Sequence, residues 1–240
     1  MTVPSMGKVL VFDVWGEYAH FRKYYTTTSP LTFSIPPRTS LSGLIGAILG
    51  YGKKDYIPKL SKSQAMIAVR LMHPVKKMRL AENLIDTKKA GRHMNEISQR
   101  TQIRFELLKD PSFRIFFSHK DQAVQNRLRE LLCEHKCVYT PCLGLSEHIA
   151  DFRYVGEVEA AEEVPREHEY IASAVPEKRV LHMVYEDNRE YVSETMPIEM
   201  APDRSVKEYA SIIFERNKQS LKAHVDSCLL LETGERIVPL

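Results

Sequence analysis

Apolar and polar positions follow three rhythms along this chain, and each predicts a different kind of element. Lys8 to Trp15 (KVLVFDVW) is an unbroken β-branched and aromatic run, short enough for a strand buried on both faces. Past the aromatic and basic stretch Tyr18 to Tyr25 and the pair Pro36-Pro37, Ser40 is a good cap for a helix. Its stripe is Leu41, Leu44, Ile45, Ile48 and Leu49, and it ends at Gly50 or Gly52. Gly43, Gly46 and Ala47 interleave that stripe, so a backbone or a ligand can come close to this side of the helix. Ala65 to Met72 predicts a second strand. Between His73 and Arg104 the apolar density falls, and Lys76, Lys77, Arg79, Lys88, Lys89, Arg92, Arg100 and Arg104 outnumber Glu82, Asp86 and Glu96, as expected of an exposed arm.

Strict alternation then takes over. Thr101, Ile103, Phe105 and Leu107 alternate with Gln102, Arg104 and Glu106, Asp110-Pro111-Ser112 turns the chain, and Phe113 to Phe117 returns as another strand. Ser118 to Asp121 reads as a capping box ahead of a helix striped by Val124, Leu128, Leu131 and Leu132, and Phe152 to Val158 closes the set as a strand. The order is βαββαβ with a basic insertion after the second strand, which predicts an α+β, ferredoxin-like domain over residues 1–159 with the arm at about 73–104. Beyond it, Val180 to Tyr185, Glu190 to Thr195, Ala210 to Phe214 and Cys228 to Leu231 read as strands of a small, mainly β domain over residues 160–240. The acidic stretch Glu157 to Glu169 is the expected linker.

Charge adds what periodicity leaves out. The net charge of +3 hides an asymmetry: residues 1–154 hold 24 Lys+Arg against 13 Asp+Glu, and residues 155–240 hold 10 against 18. A basic part that faces nucleic acid, joined to an acidic part with another task, would show this. The longest apolar stretch, Leu41 to Tyr51, is far below the ~20 residues of a spanning helix, and no signal sequence is visible at the N-terminus, so no membrane partner and a cytoplasmic address are expected.

Candidate chemistry is sparse. Cys133, Cys137 and Cys142, with His135 and His148, lack the spacing of a zinc knuckle, so no metal or cofactor is expected; Cys133 should lie on the apolar side of its helix and the others should be small buried residues. Gly50-Tyr51-Gly52-Lys53-Lys54 lacks the upstream Gly and the Ser/Thr of a phosphate-binding loop, and metalloprotease, hydrolase and deaminase signatures are missing. Metal-independent RNA cleavage needs a base, an acid and a cation, for which His119 and Lys120 are the candidates, with His20 and several tyrosines as further suppliers. Single-stranded RNA binding is better supported. Trp15 to Tyr25 mixes cations with aromatics, and Arg38 stands before a helix N-terminus where a phosphate could be shared.

Three blocks carry a resemblance. Phe12 to Gly16 with Ala19 to Arg22, Pro36 to Gly50, and Pro141 to Glu147 together resemble the CRISPR-associated Cas five family of RAMP proteins, over about residues 8–155. The length and detail are similar to the subtype I-B member of a type I Cascade complex. The resemblance implies an RRM-like ferredoxin fold with an inserted basic β-hairpin thumb and a small C-terminal sheet. It also implies a non-catalytic subunit that caps the 5′ handle of the guide RNA and contacts the backbone RAMP subunit, the large subunit and target DNA near the handle end. Carried over by motif, Phe21, Arg22, Arg38, Thr39 and Ser40 would lie at the handle and the basic residues from Lys76 to Arg104 in the thumb. One subtype instead cuts precursor RNA, which keeps the endoribonuclease alternative open.

Overall fold

A computed structural model describes residues 5–85 and 100–240. Strand β1 (Ser5–Trp15) lies between β6 (Ser112–His119) and β7 (Asp151–Glu163), antiparallel to both, and β3 (Ala65–Leu71) pairs with β6. The spatial order β7-β1-β6-β3, with helix α1 (Arg38–Leu49) after β1 and α3 (Gln122–Cys133) after β6, is consistent with a ferredoxin-like α+β arrangement. β1 is continuously apolar because both its faces are covered. Leu10, Phe12 and Val14 meet Leu41, Leu44, Ile45, Ile48 and Leu128 of the helices, while Val9 and Val11 meet Ala68, Phe116, Leu229, Leu231 and Ile237.

Both helices begin away from where the pattern places them. α1 starts at Arg38, with Pro37 at its N-cap and the Pro37 carbonyl accepting from the Ser40 and Leu41 amides, so Ser40 sits inside the helix rather than at its cap. It stops at Gly50, whose φ of 81° is left-handed and whose absent Cβ leaves room for Val138. Ser118 belongs to β6, and the α3 cap is Asp121, whose carboxylate accepts from the Ala123 amide. A short helix, α2 (Tyr56–Lys59), joins α1 to β3.

The basic arm is a hairpin in the described residues: β4 (Lys77–Ile85) pairs along its length with β5 (Arg100–Lys109). β5 therefore does not run back against Phe113 to Phe117 as the Asp110-Pro111-Ser112 turn implies; its other neighbour is the two-residue β2 (Tyr18–Ala19). Alternation fixes which side of a strand is apolar, not which sheet that side meets.

The sheet continues past β7 through β14 (Cys228–Leu231), β15 (Arg236–Ile237), β8 (Glu169–Ile171), β13 (Leu221–Val225) and β10 (Val180–Val184), with β15 and β8 parallel and the remaining pairs antiparallel. Acidic Glu157 to Glu163, expected in a linker, is the end of β7, where Glu162 and Glu163 pair with β14. A separate small sheet holds β11 (Tyr191–Met200), β12 (Val206–Glu215) and β9 (Val175–Pro176). Among the described residues no helix is long and apolar enough to cross a membrane.

The cysteines differ from expectation. α3 ends at Cys133, past its buried Leu128, Leu131 and Leu132, so Cys133 is exposed, as is Cys137. Cys228 is the buried thiol, and burial beside Glu163 pushes its pKa up to about 12.

Candidate nucleic-acid interface

The hairpin register decides which arm residues share a face. Arg79 faces Glu106, Ala81 faces Arg104 and Ile85 faces Arg100, so Arg79, Arg100 and Arg104 point to one side. All are exposed, and among the described residues none forms an ion pair. Met78, Leu80, Ile103, Phe105 and Leu107 take the opposite side. Lys77 is at the base and is spent there: its ammonium donates to the Thr32 carbonyl at 2.9 Å and lies 3.3 Å from Glu106 and 3.8 Å from Glu194. Lys76 is exposed beside an open groove of about 770 Å³ lined by Trp15, His73, Asp110 and Ile149. Lys88, Lys89 and Arg92 lie outside the described residues.

The aromatic and basic stretch after β1 is divided between interior and surface. Phe21 is buried against Phe113, with ring centroids 6.1 Å apart. His20 is buried too; its Nδ1 lies 2.8 Å from the Glu106 carbonyl, its ring meets Phe105 edge-on, and its Nε2 has no partner among the described residues. Burial lowers the His20 pKa, with His148 and Arg22 adding to the effect and the Glu106 carbonyl opposing it. Arg22, by contrast, is exposed and donates to the Thr26 carbonyl. Beside it Tyr24 and Tyr25, 56% and 60% exposed, meet edge-on at 5.1 Å, and Tyr24 lies 4.8 Å from Tyr209 of β12. Lys23 is anchored to Glu194 at 2.7 Å. Burial disfavours its charge, and the hydrogen bond and charge of Glu194 outweigh that, so its pKa is raised.

The third sequence block is packed directly on this stretch. The His20 amide donates to the Leu143 carbonyl, and Gly144, at φ 96°, lies so close that a Cβ would stand 2.0 Å from the His20 carbonyl oxygen. Only glycine fits there. Asp13 has a comparable structural use: its carboxylate accepts from Arg114 on one flanking strand and Arg153 on the other, at 2.8 to 3.2 Å.

Arg38 occupies the interior instead of the helix N-terminal surface. It is 2% exposed and donates to the carbonyls of Leu60 and Ala65 at 3.1 and 2.8 Å and to Glu199 of β11 at 3.4 Å. Burial brings its pKa down to about 10, with Glu199 and Glu208 opposing. A phosphate at the α1 N-terminus would meet it only if these bonds broke.

Thr39 and Ser40 are half-buried on the rim of a groove of about 450 Å³ along α1. Gly43 and Ala47 form its floor, and Tyr51, Tyr139, Lys53 and Arg204 its walls. The small-residue side of α1 was the sequence signal for this groove, although Gly46 serves a different purpose and lies against Tyr56. Tyr139 and Arg204 left no signal of their own.

For His119, the Nδ1 accepts from the Asp121 amide at 2.9 Å, so the proton is on Nε2, which donates to the Lys59 carbonyl at 2.8 Å. Both ring nitrogens are engaged with main chain.

The model of a family described as CRISPR-associated protein (Cas_Cas5) matches residues 9–215. No curated protein matches the chain in sequence. Among solved structures, a CRISPR protein from Archaeoglobus fulgidus is similar with a TM-score of 0.57 at 16% identity, over 96% of this chain and 97% of that one. A chain of a CRISPR RNA-guided surveillance complex gives 0.52 at 12% identity, over 90% and 91%. A chain of a type III-B Cmr-beta complex bound to cognate target RNA gives 0.51 at 12%, over 91% and 86%. At these identities the structures share the fold, while the family model covers most of the sequence and Asp13, Phe21, Gly50 and Gly144 have structural roles within the resembling blocks. The chain belongs to the CRISPR-associated protein (Cas_Cas5) family.

Proposed function

We propose that this chain is the non-catalytic subunit of a type I, I-B-like, Cascade surveillance complex that binds and caps the 5′ handle of the guide RNA. The observation that carries this reading is the hairpin face on which Arg79, Arg100 and Arg104 align, because cations spaced along an extended element suit a backbone whose phosphates repeat along a strand. Exposed Tyr24 and Tyr25 beside Arg22 supply ring faces for unstacked bases, and the groove at Thr39 and Ser40 offers hydroxyls with Lys53 and Arg204. Lys76, Lys88, Lys89 and Arg92 extend the cationic set by sequence. Phe21 and Arg38 are buried and enter this reading only through packing.

In this reading residues 1–159, joined by Arg204 at the groove, hold RNA, and the acidic remainder of residues 160–240 meets the backbone and large subunits, with target DNA near the handle end. The non-catalytic reading is supported by His119, which spends both ring nitrogens on main chain. Reconstitution with guide RNA and the partner subunits, followed by nuclease footprinting, tests the reading. Handle nucleotides should be protected only when this chain is present; protection confined to the spacer would overturn it.

A further inference from the structure

The chain has nine histidines, and three of them lie near one another outside the surface described above, with His168 next to both His182 and His224. His182 of β10 faces His224 of β13, and the β13–β8 register (Lys222 to Tyr170, Ala223 to Glu169) carried one step further sets His168 beside His224. The three therefore form a row across adjacent strands, on the side opposite buried Leu221, Ala223 and Val225. The His168 ring lies 4.8 Å from that of His182 and 6.2 Å from that of His224, centroid to centroid.

We propose that His168, His182 and His224 bind one first-row divalent cation with a preference for imidazole, such as zinc, copper or nickel. The Nε2 of His224 is 3.1 Å from the Pro165 carbonyl, which can only accept, so the proton is on Nε2 and the Nδ1 lone pair is left for a metal. A ligating histidine is usually oriented by just such a second hydrogen bond. His168 Nε2 and His182 Nδ1 stand 2.6 Å apart and share one proton. A cation replaces that proton, which leaves to solvent. Two metal–nitrogen bonds of about 2.0–2.1 Å at a tetrahedral angle need the nitrogens about 3.3 Å apart, so the pair opens by less than about 1 Å. Among the described residues no three metal-binding side chains converge on one point, so the rings of both His168, which is exposed and lies one residue outside β8, and His224 swing toward His182 on binding. Water completes the coordination.

The test is calorimetric titration of the untagged full chain with Zn²⁺, and with Co²⁺ for its visible absorption. One equivalent should bind. His168→Ala, His182→Ala and His224→Gln should each weaken binding by about tenfold or more with the melting temperature of the metal-free protein unchanged. The Gln variant keeps a donor for Pro165 and so separates ligation from folding. Undiminished affinity in His224→Gln would reduce the site to a surface pair and overturn the proposal, as would the absence of saturable binding.

Discussion

Arg38, in the first turn of α1, reaches the carboxylate of Glu199 on β11 at 3.4 Å, and so ties the first helix to a strand about 160 residues further along the chain. The same guanidinium holds the Leu60 and Ala65 carbonyls. Arg38→Ala removes the side-chain donor of two main-chain carbonyls and the cation from a half-buried carboxylate that keeps only the Lys62 amide. The expected cost is about 2–4 kcal/mol of stability, read as a lower denaturation midpoint. RNA affinity of the folded fraction should barely change; a full loss of affinity at unchanged stability would return Arg38 to the RNA surface.

Gly43 and Gly46 lie three residues apart on α1 and should respond to alanine with opposite sign. A Cβ on Gly43 meets nothing within 4 Å, so Gly43→Ala should stabilise by about 0.5–1 kcal/mol through helix propensity. A Cβ on Gly46 would stand 2.8 Å from the Tyr56 Cβ, so Gly46→Ala should destabilise despite the same propensity gain. Thermal unfolding of the two variants checks this. Gly43→Phe, which fills the groove, should fold and lose affinity for handle RNA.

His20 sets a pH dependence. Its folded pKa lies below the ordinary 6.5, so as pH falls below 6.5 the unfolded chain takes up a proton that the folded chain refuses. Stability contributed by neutral His20 is therefore full above 6.5 and declines below it until the folded histidine also protonates. His20→Asn keeps a donor for the Glu106 carbonyl but cannot titrate, and its melting temperature should fall less steeply on acidification than that of the wild type.

Much of the core was legible because local pattern determines it. The double-sided burial of β1, the α1 and α3 stripes and four C-terminal strands follow from runs and spacings of a few residues. What stayed hidden depends on distant partners. Nothing near Arg38 announces Glu199, and nothing near Lys23 announces Glu194. Short β13 alternates Leu221, Ala223 and Val225 with Lys222 and His224, but Ala and His are weak strand signals. For the candidate site, exposure was the missing variable: a cation or ring reads the same in sequence whether it faces RNA, as Arg79 and Tyr24 are placed to do, or the interior, as Arg38 and Phe21 do.

Tyr24 and Tyr25 separate stacking from packing. If their exposed rings hold bases, Tyr24→Ala and Tyr25→Ala should each weaken single-stranded RNA binding by about 1–3 kcal/mol, measured by fluorescence anisotropy, and leave melting temperature nearly unchanged.

The most direct measurement is the salt dependence of handle-RNA binding for the wild type and for the triple variant Arg79→Ala, Arg100→Ala, Arg104→Ala. If each arginine meets one phosphate of the single strand, the slope of log affinity against log salt should flatten by about two, at ~0.7 per contact, while the unfolding midpoint stays in place. An unchanged slope with the fold intact would contradict the account and assign the hairpin face to a protein partner.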